Sequence, residues 1–342
     1  MKLALPLDYA PMEARSVEKI PDGPGWQYEP KWDGFRCLAF RDGDEVKLQS
    51  KSGQPLERYF PEIVDVLKTL EAEHFVLDGE LVVASGEALS FDDLLMRIHP
   101  AASRVAKLAR ESPATYLVFD LLVDERNRSL VDEPLAERRP QLEDFSERNF
   151  PKRARIRLSP ASTRRKTVDT WFERVGGALD GIVAKRLDRS YASGKRDAMV
   201  KVKAIRTADC VVGGFRYAKN SRVVGSLLLG LYDEAGLLHY VGFTSAYSAA
   251  EREALLEKLK PLEATSSFTG NSPGGPSRWS RDRDTSWQPL KPKLVLEVAY
   301  DQITGNRFRH GTRPLRWRPD KSPRQCTFDQ IELSDQTMRL FK

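Results

Sequence analysis

Glu29-Pro30-Lys31-Trp32-Asp33-Gly34-Phe35-Arg36 sets one lysine between aromatic neighbours and just ahead of an Asp-Gly turn. A lysine attacks phosphorus only as the free amine. With a reference pKa near ~10.4, about one lysine in a thousand is neutral near neutral pH, a handicap of about 4 kcal/mol. Partial burial beside Trp32 and Phe35, with Arg36 or a bound metal close by, would lower that pKa and make Lys31 a nucleophile. Gly34 lets the backbone turn tightly next to a ligand. Alone, the same run also reads as a salt-bridged surface lysine before a turn, so the choice rests on the rest of the chain.

Working outward, residues 75–83 (FVLDGELVV) read as a strand with Asp78 and Glu80 on one face and Leu77 and Leu81 on the other. Paired acids on an apolar strand are costly unless they meet a metal, a ribose hydroxyl or a basic partner. Residues 116–123 (YLVFDLLV) form a second apolar strand carrying Phe119 and Asp120, and taken alone Phe119 reads as plain core. A helix with Val168, Trp171, Phe172 and Val175 in one apolar stripe ends at Gly176-Gly177, and Asp180-Gly181 then turns into a strand ending at Lys185. Residues 199–204 (MVKVKA) place Lys201 and Lys203 side by side on one face, where they repel unless an anion such as a triphosphate lies between them.

Beyond residue 206 the texture changes to successive strands over 209–215, 226–232 and 237–243, with a turn at 233–236. A helix opened by the Ser248-x-x-Glu251 capping box ends near Pro261. Residues 264–285, rich in Ser, Gly, Pro and Arg, read as a mobile loop before a further strand over 294–300. Strands in this number suggest a small β-barrel of the OB type, a fold that commonly binds nucleic acid.

The 342 residues suit two domains, placed at 1–206 and 207–342, and 30% charged residues indicate a soluble protein. The opening MKLALPLDYAPMEAR reaches Pro6, Asp8 and Pro11 before any long apolar run, which excludes a secretory signal or membrane span and points to the cytoplasm. Cys37, Cys210 and Cys326 form no C-x-x-C pair, so they read as reduced packing residues rather than disulfides or zinc ligands. The net charge of +6 is uneven: residues 278–324 hold 12 Lys and Arg against 5 Asp and Glu. That segment also carries Trp279, Trp287, Phe308 and Trp317, and basic residues interleaved with aromatics suit a phosphate backbone and its bases.

The ordered set EPKWDGFR, SKSG (50–53), VLDGELV, YLVFDLL, DGIVAKR, MVKVK and RWRPDKSP (316–323) resembles the nucleotidyltransferase motifs of ATP-dependent DNA ligases, most closely the stand-alone bacterial LigC subgroup. The resemblance implies an α+β, two-domain nucleotidyltransferase with an ATP-grasp-like adenylation domain and a C-terminal OB-fold β-barrel. It implies a monomer using ATP with Mg²⁺ or Mn²⁺ to seal nicked double-stranded DNA in repair or recombination, with a repair polymerase or end-binding protein as a possible partner. AMP would pass from ATP to Lys31, then to a 5′-phosphate, and leave when the 3′-hydroxyl attacks.

The same resemblance implies the site residues. Glu29 reads the adenine edge, Phe119 stacks on adenine, and Arg36 contacts the ribose or the nick phosphate. Trp32, Lys51 and Lys185 join them in nucleotide binding. Glu80 binds a ribose hydroxyl or, with Asp180, a divalent metal. Lys201 and Lys203 neutralise the α-phosphate, and Arg318, Asp320 and Lys321 orient the leaving pyrophosphate from a domain hinged near Ile205-Arg206-Thr207. Two residues depart from the pattern: Asp180 stands where many members have Glu, and Lys51 where many have Arg, so a planar phosphate fork is lost. Readings left open are an RNA-capping guanylyltransferase, an RNA ligase and a non-catalytic nucleic-acid-binding protein.

Overall fold

The apolar runs read from the sequence form strands in the computed structural model, which describes residues 1–85, 88–152, 154–173, 179–274 and 286–331. A first compact unit, Met1–Ala204, contains β1 (Trp26–Trp32), β2 (Phe35–Asp42), β3 (Glu45–Ser50), β4 (His74–Ser85), β5 (Ala114–Val123), β6 (Leu179–Arg186) and β7 (Met199–Lys203). A second unit begins at Ile205 and contains β8 (Arg206–Tyr217), β9 (Val224–Tyr232), β10 (Leu238–Thr244), β11 (Val295–Tyr300) and β12 (Arg313–Trp317).

In the first unit, β3, β2, β4 and β5 run antiparallel in that order. Strand period two then gives this sheet two different faces. Cys37, Ala39, Leu77 and Leu81 pack on one side against Ile63 and Leu67 of the helix Pro61–Lys68 and against Leu142 and Phe145 of the helix Leu135–Asn149. Leu38, Phe40 and Val76 pack on the other side against Met199 and Tyr191. Each such fully buried Leu or Phe side chain contributes roughly 1.5–3 kcal/mol of transfer free energy. A second sheet, ordered β7-β6-β1, lies over that second face. Its outer side buries Tyr28, Ile182, Ala184 and Val200 with Val168 and Trp171 of the helix Arg165–Glu173. Val175 and Gly176-Gly177, expected to finish that helix, lie outside the described residues.

Two local expectations change. Asp180-Gly181 is not a turn but part of β6, because Gly181 pairs with Lys31 on one side and Lys203 on the other. Phe35 does not flank Lys31: it packs edge-on to Phe91 and Phe60, with ring centroids 5.5 and 6.4 Å away, on the helix-covered face. Gly34 is needed for close approach, since a Cβ there would stand 2.2 Å from the Leu81 carbonyl oxygen.

The second unit is an antiparallel sheet ordered β10-β9-β8-β11-β12. Its outer strands meet at one point, where Thr244 Oγ1 donates to the Thr312 carbonyl at 2.8 Å and the Thr312 amide donates to the Phe243 carbonyl at 3.0 Å. The helix Ala249–Leu259 starts with both halves of the Ser248/Glu251 capping box. Arg206 and Thr207, expected in a hinge, are laid into β8 opposite Tyr300 and Ala299. The first part of the expected loop, 264–274, is fastened along β10: the Gly270 amide donates to the Leu238 carbonyl at 2.9 Å and the Tyr240 amide to the Asn271 carbonyl at 2.8 Å. Its remainder, including Arg278 and Trp279, lies outside the described residues.

Among the described residues, the aromatics of the basic segment are not a row of base platforms. Phe308 is buried, and Trp287 and Trp317 pack against the core of the second unit, because their apolar area is worth more there than in water. The three cysteines are free and buried. Among the described residues no helix is long and apolar enough to cross a membrane.

Candidate active site

Antiparallel register aligns the small sheet's inner face into three rows: Gln27 with Lys185 and Met199, Glu29 with Val183 and Lys201, Lys31 with Gly181 and Lys203. A β-bulge interrupts β6 at Asp180, since Lys31 opposes Gly181 while Trp32 opposes Leu179. The extra residue aims the Asp180 carboxylate at the ammonium of Lys31, with which it makes a close ion pair, while Lys203 Nζ stands 4.0 Å away. Gly181 has φ +144°, and a Cβ there would come within 2.0 Å of the Val202 carbonyl oxygen. Only glycine leaves the row between Lys31 and Lys203 clear.

The inner face and the facing sheet bound a cleft of about 780 Å³, its open mouth included. Glu29, Lys31, Lys185 and Lys201 form one wall with Trp32, and Arg36, Glu80 and Phe119 form the other. Lys51 and the segment Pro11–Ala14 stand at its rim. Of the cleft residues expected from the sequence, these all converge, and Asp180 and Lys203 adjoin them through Lys31.

Buried ion pairs fix the walls. Glu29 and Lys185 are both buried; the Glu29 carboxylate accepts from Lys185 at 2.9 Å and from Gln27 at 2.8 Å. Lys185 also reaches the Phe119 carbonyl at 3.3 Å and lies 4.6 Å from the centre of its ring. Arg36 lies 4.5 Å from the same ring and donates two bonds of 2.6 Å to Asp78. Burial works against the Arg36 charge, but Asp78 overcomes it and holds the guanidinium firmly protonated. Asp78 is fully buried and accepts a further 2.5 Å bond from Tyr191, whose hydroxyl in turn accepts the Met12 amide at 3.0 Å. Asp78 is therefore consumed by Arg36 and Tyr191, and Glu80 alone of the pair faces the cleft.

Glu80 makes no hydrogen bond or ion pair among the described residues, and burial raises its pKa to about 7 despite Arg36 and Lys31 nearby. Lys201 is shifted down, first by burial and then by the cations Lys31, Lys203 and Lys51. The Oδ1 atom of Asp180 is buried with no partner. One orphaned oxygen and one cleft-facing carboxylate suit a hard cation that keeps water and phosphate ligands. Among the described residues no group of three or more His, Cys, Asp or Glu could hold a metal by itself.

Residues 11–203 match the family model described as ATP dependent DNA ligase domain, and residues 220–321 match ATP dependent DNA ligase C terminal region. The chain belongs to the ATP-dependent DNA ligase family. This ligase is 46% identical to DNA ligase C1 of Mycolicibacterium smegmatis, over 94% of this chain and 93% of that protein. It is 42% identical to DNA ligase C of Mycobacterium tuberculosis, over 97% and 96% respectively. A solved Lig E DNA ligase, 17% identical, superposes with a TM-score of 0.56 over 90% of this chain and 99% of that one, a likeness of fold.

In the ligase's second unit, Arg318, Asp320 and Lys321 gather around a residue that sequence reading missed. Asp209, on β8, accepts from Arg318 Nη1 at 3.0 and 2.9 Å and from Lys321 at 2.9 Å. Asp320 accepts from Arg318 at 2.8 Å, which draws its pKa down to about 2. The available signal was an acid in the otherwise apolar run Ala208–Phe215. Tyr191 was missed too, because a lone tyrosine in a Ser- and Gly-rich loop carries no pattern. At the rim, Lys51 pairs with Glu13 at 3.1 Å.

Proposed function

We propose that this ligase seals nicks in duplex DNA between a 3′-hydroxyl and a 5′-phosphate, with Lys31 as the nucleophile that carries AMP. The observation that carries the reading is the row Lys31–Gly181–Lys203 with Asp180 bulged onto it. Asp180 touches the lysine ammonium and is the group suited to take its proton, leaving the amine free to attack the α-phosphorus of ATP. As pyrophosphate departs, negative charge grows on the α-phosphate oxygens beside Lys201 and Lys203, fixed cations of the kind that lower such a barrier. Lys31 then passes AMP to the 5′-phosphate of the nick, and the 3′-hydroxyl displaces AMP to close the strand.

Glu29, Trp32, Phe119 and Lys185 would seat the adenine, Arg36 the ribose or nick phosphate, and Lys51 a phosphate at the rim. Arg318, Asp320 and Lys321 would orient the leaving pyrophosphate. Glu80 and Asp180 would hold Mg²⁺ or Mn²⁺, which when bound supplies positive charge to the phosphates. We read residues 1–206 as the adenylation domain and 207–342 as an OB-type barrel that binds DNA, a reading supported by the Thr244–Thr312 contact between its outer strands. A role in DNA repair, with a repair polymerase or end-binding partner, belongs to the same proposal.

The test is to incubate wild type and Lys31→Ala with α-labelled ATP or GTP and Mg²⁺ or Mn²⁺ and to run a denaturing gel. Label from ATP only, lost in the variant, is expected. Label from GTP would point to capping chemistry. No label on protein shown by mass to be free of AMP would overturn the proposal.

A further inference from the structure

In the second unit, Asp209, Glu297 and Arg316 stand opposite one another in a row across β8, β11 and β12. Two acids facing each other on neighbouring strands repel unless cations come between them. Glu297 accepts from Arg316 at 2.5 Å, and Arg318 lies 3.9 Å from Glu297 while bonding both oxygens of Asp209. The backbone of Asp209 is fixed as well. Pairing between β8 and β9 starts only at Val211, and beside Asp209 the side chain of Gln330 takes the place of a strand. It accepts from the Asp209 amide at 3.0 Å and donates to the Asp209 carbonyl at 3.2 Å. A carboxylate only 11% exposed thus stands on a backbone held by β11 on one edge and by Gln330 on the other.

The anchored guanidinium keeps one edge outward. Asp209 occupies Nη1 of Arg318, whereas the Nε–Nη2 edge, a fork suited to two parallel bonds with a carboxylate or phosphate, faces Asp320, whose side chain is 63% exposed. Lys321 sits on the same Asp209 carboxylate at 2.9 Å. The chain that carries both cations has ties of its own: the Arg318 amide donates to the Val295 carbonyl at 2.9 Å, and the Tyr232 amide to the Cys326 carbonyl at 2.8 Å. Removing the Asp209 carboxylate would therefore release two side chains and leave the segment in place.

We propose that Asp209 is a positioning residue for the first chemical step: its buried carboxylate fixes the plane of Arg318 and the ammonium of Lys321, so that the two cations act on the leaving pyrophosphate as one rigid pair. The proposal rests on the ligase reading and on the place given there to Arg318 and Lys321. Long Arg and Lys side chains lose rotamer freedom when they grip a ligand; anchored beforehand, they lose it on folding instead of at each turnover. Charge alone predicts the opposite effect. An acid beside two cations weakens their pull on phosphate, so neutralising it would speed adenylylation if attraction were all that mattered. Orientation predicts a loss, and the sign separates the two.

The experiment uses the full chain and the variants Asp209→Asn, Glu297→Gln, Gln330→Leu, Arg318→Ala and Asp209→Asn/Arg318→Ala. Each is checked by thermal melting, then followed in single-turnover labelling of Lys31 by ATP and, separately, in sealing of a pre-adenylylated nick. Asp209→Asn is expected to slow labelling by roughly 10- to 100-fold, the scale of a 1 Å misplacement, with sealing left within about threefold of wild type. Combined with Arg318→Ala it should cost far less than the product of the two single losses, because both act through one guanidinium. Glu297→Gln removes the same charge from the neighbouring strand and should leave labelling near wild type. If Asp209→Asn does not fold, Gln330→Leu decides: it keeps the carboxylate and both cations, frees only the Asp209 backbone, and should slow labelling while sparing sealing. Labelling as fast as wild type or faster in the deciding variant, or equal losses in both steps, would overturn the positioning role. Wild type that neither labels nor seals would strike the ligase reading itself, whereas an active wild type confines any failure to Asp209.

Discussion

Arg318 and Asp209 are joined through both carboxylate oxygens, 3.0 and 2.9 Å from one guanidinium nitrogen, and Lys321 approaches the same carboxylate at 2.9 Å. Arg318 and Lys321 of the C-terminal motif thus share one anchor on β8. If they orient pyrophosphate, replacing either Arg318 or Lys321 by Ala should slow Lys31 adenylylation by about 10²-fold, the scale of one lost charge-stabilising donor. Sealing of a pre-adenylylated nick should stay within about threefold of wild type. Equal losses in both steps, measured by single-turnover kinetics, would remove these residues from the first step.

Glu80 supplies a pH test. Its carboxyl is raised from 4.5 to about 7 by burial, so the folded state holds its proton more tightly than the unfolded chain does. Between about pH 4.5 and 7 the native state binds more protons, and stability falls as pH rises through that window. Glu80→Gln should therefore lose that slope and gain most over wild type at pH 8, little at pH 4. Melting temperatures of the ligand-free proteins across this range decide it; parallel curves would contradict the shift.

Gly181→Ala combines a forbidden contact with a forbidden dihedral. The added Cβ would meet the Val202 carbonyl oxygen at 2.0 Å with φ at +144°. The expected cost is about 2–4 kcal/mol, at the severe end for a single substitution. Denaturant unfolding should show a lower midpoint with an unchanged slope, and adenylylation should fall as Lys31 and Lys203 separate.

Tyr191→Phe keeps the ring and removes the hydroxyl between Asp78 and the Met12 amide. Losing a bond to a buried charge costs about 1.5–3 kcal/mol. Arg36 keeps its two bonds to Asp78, so the variant should still label with AMP. A variant as stable as wild type would show that water replaces the hydroxyl.

Much of this architecture is visible in the sequence because strand alternation is local. Residues 75–83 and 199–204 announced both their strands and their polar faces, and Ser248-x-x-Glu251 announced its helix. The resemblance to ligase motifs named the cleft residues. What stayed hidden depends on non-local pairing. Asp180 looked like a turn because Asp-Gly usually is one, and only the pairing of β1, β6 and β7 makes it a bulge. Phe35 seemed to flank Lys31, but Gly34 switches the chain to the other sheet. Glu13, Tyr191 and Asp209 carry no motif of their own, and each becomes legible only through partners between 38 and 183 positions away.

The bulge at Asp180 also governs which changes in chain length β6 can tolerate. Deleting Asp180 would only restore an unbulged ladder, whereas deleting Ile182 or Val183, with the start of the strand held, would bring Ala184 to the position now held by Val183 and Arg186 to that of Lys185. Substitutions here would each disturb one side chain, whereas such a deletion would turn over every residue that β6 contributes beyond it. Variation among related chains should accordingly appear in this segment as exchange of residue type, with its length held constant.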